Sequence, residues 1–90
     1  MPTPAEDIRT LLRAAGDPQR AVGQQAYMKS AMPYLGVRVP EVRRIALAAA
    51  RGRDASELGD LAAELWDAAG HREERYAAMM LLSAAQKSLC

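Results

Sequence analysis

Residues 76–85 read Tyr-Ala-Ala-Met-Met-Leu-Leu-Ser-Ala-Ala, apolar at every position except Ser83. A helix that is apolar on all sides has to be covered on all sides. The segment therefore predicts a helix from about His71 to Ser88 that sits against other helices. Four short helices before it can cover about half of its circumference. Its outer half is left for something else, so the chain is expected either to self-associate through this helix or to be the front portion of a longer protein. Stacked helical repeats normally end on a unit with a polar outer face, and this one does not.

Upstream the helix signals recur, and strand signals do not. Thr3, Pro4 and Glu6 form a capping box with proline at the first helical position, followed by Ile8, Leu11, Leu12 and Ala15 and stopped by Gly16. Asp17-Pro18 opens a second helix by the same device and carries it to about Lys29. Ser30 to Val39 reads as a loop, marked by Pro33 and Gly36 and ended by Pro40. Pro40 starts a third helix with Val42, Ile45, Ala46 and Ala49 on one face and Arg44 and Arg51 opposite, and Gly52 ends it. Asp54 or Ser56 caps a fourth, striped by Leu58, Leu61, Ala62 and Leu65 with Trp66 alongside, and Ala68–Gly70 break the chain before the fifth. The expected fold is all-α: one helical domain over residues 1–90, about five helices in antiparallel pairs.

The 90 residues leave room for one core only. With no Phe and 4 % aromatic residues, that core must be aliphatic, built from Leu, Ala, Val and Met. No apolar run reaches the roughly 20 residues that cross a bilayer, and the amino end lacks the basic-then-apolar order of a signal peptide. One cysteine, Cys90, cannot close an internal disulfide, so a reducing cytoplasmic setting is expected. There is no CxxC, HExxH or His–Cys cluster, so neither a metal nor a cofactor is expected. His71, with Asp67 four residues before it and Glu74 three after, reads as a side chain at a helix start and not as a proton relay.

The net charge of +1 conceals a strong asymmetry. Residues 31–53 set five arginines against Glu41, a net +4, whereas residues 54–90 set three basic residues against seven acidic ones, a net −4. A basic middle suits a polyanion, although solvated helix faces carry such charges for no reason beyond solubility.

The stretch Gln25-Ala26-Tyr27-Met28-Lys29-Ser30, followed by Pro33-Tyr34-Leu35-Gly36-Val37-Arg38-Val39-Pro40-Glu41-Val42-Arg43-Arg44, resembles the opening signature of AlkD-type DNA alkylation repair glycosylases. Glu64-Leu65-Trp66-Asp67 and Glu73-Glu74-Arg75-Tyr76-Ala77 fall where that family has similar runs, and the likeness extends from about Gln25 to Leu82. It implies a HEAT-like α-solenoid around duplex DNA and excision of cationic alkylated purines without a base-flipping pocket. It also implies a stabilising aspartate in a Trp-Trp-Asp-type motif. That motif is absent here: Gly70 stands four residues after Trp66, where an Asp would share its helical face. None of the seven acidic residues from Asp54 onward is expected to sit in the dry, preorganised setting that stabilising a developing cation needs. The 90-residue chain is accordingly expected to be catalytically silent, with no catalytic residue assigned.

The resemblance points to Tyr27 and Arg38 as contacts to double-stranded DNA, and charge adds Lys29 and Arg43, whose alternative is a solvent-facing helix surface. Tyr27 would face DNA at the cleft edge, the alternative being that it packs on Leu35. Arg38 would meet the DNA backbone from the connector, with Lys29 and Arg43 on phosphates, while Arg44 reads as solvent-facing. This reading needs the Ser30–Val39 connector to look outward, and a connector packed inside would end it. Tyr76, Met79, Met80 and Leu82 are the expected contacts for a second copy or for further helical repeats.

Overall fold

In the computed structural model, which describes residues 3–28 and 32–89, five helices follow one another: α1 (Pro4–Ala15), α2 (Pro18–Met28), α3 (Val39–Ala50), α4 (Ala55–Asp67) and α5 (Arg72–Leu89). No strand occurs among the described residues, so the fold is all-α, as the periodicity predicts.

The local chemistry explains each start. Thr3 accepts from the Glu6 N–H while Glu6 reaches back to the Thr3 N–H, both at 3.2 Å, which satisfies two of the donors a helix start leaves open. Asp17 accepts from Gln19 N–H at 2.9 Å and starts α2. Asp54, and not Ser56, caps α4 through the Glu57 N–H at 2.8 Å. Gly16 does end α1, yet with φ −71° it needs no left-handed backbone. Glycine is required there by proximity: a Cβ would lie 2.6 Å from the Leu35 carbonyl oxygen.

One apolar core joins Ala5, Ile8 and Leu12 of α1 with Val42, Ile45 and Ala46 of α3, Leu58, Leu61, Ala62 and Leu65 of α4, and Ala77, Ala78, Leu81 and Ala85 of α5. The predicted stripe on α4 is buried throughout, and that on α3 is buried at Val42, Ile45 and Ala46 and half-buried at Ala49. α5 lies against both α3 and α4 and also touches α1. Contrary to expectation, methionine does not build this core: Met28 and Met79 are exposed and Met80 is packed only at its edge. The alanines of α5 let the helices approach closely enough that Ile, Leu and Val fill the space. α2 stands apart, with no buried side chain and with Val22, Tyr27 and Met28 exposed.

α5 is covered on one side only. Leu81 is fully buried, while Met79 and Leu82 on the other side are 52 % and 47 % exposed. With Gly59, Ala62, Ala63, Trp66 and Asp67 of α4 they line a groove of about 410 Å³. The Arg75 guanidinium stacks 4.6 Å from the centre of the Trp66 ring at that site. No described helix is long and apolar enough to cross a membrane.

Candidate nucleic-acid interface

The connector between α2 and α3 turns inward. Tyr34 and Val37 are buried, 7 % and 2 % exposed, and the backbone between them is held from α5. Glu73, fully buried, accepts three N–H groups: Leu35 at 2.9 Å, Gly36 at 2.9 Å and Val37 at 3.0 Å. A buried carboxylate is tolerable only with such partners, and here they come from one run of backbone. Gly36 takes φ +88°, which lets its N–H and its neighbours' converge on one anion. Its carbonyl accepts from Arg20 at 2.9 Å, and that of Val37 from Gln24 at 3.5 Å. The Arg72 N–H donates to the Pro33 carbonyl at 2.9 Å.

The expectation of an outward-looking connector is therefore overturned for Tyr34–Val37. Two apolar side chains in a basic, proline- and glycine-marked run are worth burying once an anion on α5 neutralises the backbone dipoles around them. The chain is exposed on either side of this stretch, at Pro33 before it and at Arg38 and Val39 after it. Five of the seven acidic residues from Asp54 onward are exposed, and the two that are dry line no cleft. Glu73 is one of the two. Glu74, 3 % exposed, is the other: it pairs with Arg9 at 2.8 Å and accepts the Gly70 and His71 N–H groups at 2.7 and 2.8 Å. Both carboxylates are spent on protein donors, and neither lines any of the surface grooves described here. Sequence reading treats charges near a helix start as solvated, and the available signal was that Glu73 and Glu74 occupy the first turn of α5, where N–H groups seek acceptors.

Behind the connector, the Tyr34 and Tyr76 hydroxyls meet at 3.0 Å, with the Arg72 guanidinium 5.5 Å above the Tyr76 ring. Burial pushes the Tyr34 phenol above its ordinary value, with the Tyr76 hydroxyl adding to the shift and Arg72 opposing it. The folded state thus prefers the neutral phenol. Its contribution is fully present below about pH 10 and is lost as pH rises through the raised folded value. Tyr34→Phe is expected to cost about 1 kcal/mol at neutral pH and to flatten the alkaline decline, as read from denaturant midpoints across that range.

The predicted contact residues fall as follows. Tyr27 is 85 % exposed, so it does not pack on Leu35. It lines an open groove of about 510 Å³ with Arg20, Gln24, Tyr34, Val39 and Tyr76. Arg38 is exposed and precedes α3, whose start has no side-chain cap. Arg43 lines a groove of about 300 Å³ between α3 and α5, with Leu47, Met80, Ser83 and Lys87. A smaller groove bounded by Val39, Tyr76, Met79, Met80 and Ser83 shares residues with both and joins them. Tyr27, Arg43 and Lys87 thus border one continuous strip, and Arg38 adjoins it at Val39. Its middle is apolar and its cations lie at the edges. Lys87 is the residue the sequence reading missed, because it belongs to the net-acidic third of the chain and only the fold sets it beside Arg43. Lys29 and Cys90 lie outside the described residues. Arg44 is solvent-facing and pairs with Glu41, whose carboxyl is lowered by that hydrogen bond. His71 Nδ1 is 3.7 Å from Glu74, and among the described residues no group of three His, Cys, Asp or Glu side chains could hold a metal ion.

Residues 8–89 match the family model described as DNA alkylation repair enzyme. No curated relative and no solved structure matches the chain.

Proposed function

Because this chain belongs to the DNA alkylation repair enzyme family, whose model covers residues 8–89 of its 90, we propose that it is the duplex-DNA-binding amino-terminal part of a HEAT-like alkylpurine glycosylase, one helical domain that holds the DNA backbone and does not itself cleave. The observation that carries this is the run of adjoining grooves with Tyr27 at one end, Arg43 and Lys87 at the other and Arg38 next to Val39 between them, all four exposed. An apolar floor with cations at its margins suits a partner that presents phosphates at a fixed spacing. The buried connector ends the reading in which that segment faces DNA; the proposal stands on the strip instead and keeps only Arg38 of the connector. Lys29 remains a further candidate. The absence of a Trp-Trp-Asp motif, and the full hydrogen-bonding of Glu73 and Glu74, support a silent chain.

Anisotropy of a labelled duplex over a salt titration tests this reading. Contacts from Arg38, Arg43 and Lys87 predict a slope of log K against log salt near −3, at about 0.9 per neutralised phosphate. Reversing all three to Glu should remove measurable binding at low salt. A wild-type chain that ignores DNA at about 50 mM salt, or a triple variant that binds as well, overturns it. Incubation with alkylated duplex should release no base.

A second reading rests on the half-exposed Met79 and Leu82 beside Trp66: self-association through α5. Sedimentation over a concentration series separates the two, because a dimer disrupted by Leu82→Arg would favour the interaction module.

A further inference from the structure

The strip's cations are only as useful as the backbone that aims them, and Arg38 sits at a point where that backbone is fixed from both sides. On one side, Val37 donates its N–H to Glu73. On the other, the Arg38 carbonyl accepts the N–H groups of Glu41 and Val42, each at 3.0 Å, as α3 begins. We propose that Glu73 is a positioning residue for DNA contact, a buried carboxylate latch on α5 that sets the direction in which Arg38 leaves the connector.

The inference rests on the DNA-binding reading and deepens it. Three features make the latch more than a local hydrogen bond. Its three donors are consecutive, so the carboxylate fixes a rigid arc and not a single point. The opposite face of the same arc is held by α2, through Arg20 to the Gly36 carbonyl and Gln24 to the Val37 carbonyl. The connector is thus held by the buried anion of α5 on one side and by α2, the helix that carries Tyr27, on the other. The stretches that resemble the repair family's signature, Tyr34–Val37 and Glu73–Tyr76, are the two halves of this joint, which also includes the Tyr34–Tyr76 hydroxyl pair.

The test combines two readouts on the full chain. Glu73→Gln keeps the shape but presents an N–H₂ group where an oxygen accepted, so at least one backbone donor loses its partner. Amide exchange at Leu35, Gly36 and Val37 is then expected to quicken by at least about tenfold, while Leu61 and Leu65 in α4 change little. In DNA titrations, Arg38→Ala and Glu73→Gln should each lower the salt slope by about one, and the double variant should lower it no further than either alone. Losses that add in the double variant, or a Glu73→Gln chain with unchanged slope, overturn the proposal. Ile8→Val, which loosens the core elsewhere, should leave the slope intact. Should Glu73→Gln fail to fold, exchange in the wild-type chain decides: the three connector amides must be protected as well as those of α4, and exchange as fast as that of α2 overturns the latch. Protected connector amides in a wild-type chain that ignores DNA would leave the latch standing and overturn both the DNA-binding reading and the positioning role built on it.

Discussion

Gly36→Ala is expected to lose more than about 3 kcal/mol of stability, against about 1 kcal/mol for Gly52→Ala. Both glycines take positive φ, +88° and +76°, so both substitutions carry the left-handed strain of an L residue. They differ in what the new methyl meets. At Gly52 it meets open space. At Gly36 it would lie 1.9 Å from the Asp17 carbonyl oxygen and 2.8 Å from that residue's carbonyl carbon. Neither atom can swing away, since Asp17 caps α2 and the connector is pinned to Glu73. For a domain of this size, 1 kcal/mol moves the melting temperature by about 4–8 °C, so the two variants should separate by more than about 10 °C in a circular-dichroism melt. Equal losses would show that the connector does not run where it is described.

Leu81→Ala is expected to cost about 2–5 kcal/mol, and Leu82→Ala less than about 1 kcal/mol. The two are adjacent in sequence and identical in chemistry. Leu81 is fully buried in the core that all of α1, α3, α4 and α5 share, so truncation leaves a cavity that four packed helices cannot close. Leu82 stands 47 % exposed on the rim of the α4–α5 groove, where water replaces the lost atoms. Urea midpoints of the two variants measure the difference directly. A comparable loss at Leu82 would mean that its face is covered in solution, as the self-association reading requires.

The helices were readable because their signals are local. Thr3 with Glu6, Asp17 before Pro18, and Asp54 supply side-chain acceptors to helix starts, and the spacing of Leu58, Leu61, Ala62 and Leu65 needs nothing beyond 3.6 residues per turn. The half-covered α5 was readable for the same reason. The connector was not. Pro33 and Gly36 mark a change of direction without saying whether it points out or in, and what decides is a carboxylate 36 residues further along. Charge patterning failed at the same places: Glu73 and Glu74 look like surface residues and are buried, Glu73 against backbone and Glu74 against a half-buried Arg9. Lys87 joins Arg43 only through the α3–α5 packing, which no short-range pattern encodes.

The loose seating of α2 has a consequence for anyone who follows unfolding. With no buried side chain, this helix can melt in a step that the α1, α3, α4 and α5 core does not feel, leaving the connector held from α5 by Glu73. Trp66, the sole tryptophan, sits between α4 and Arg75, so its emission reports that pair of helices and is blind to α2. Ellipticity should begin to fall at lower denaturant than fluorescence, and the two curves, overlaid, should refuse to coincide.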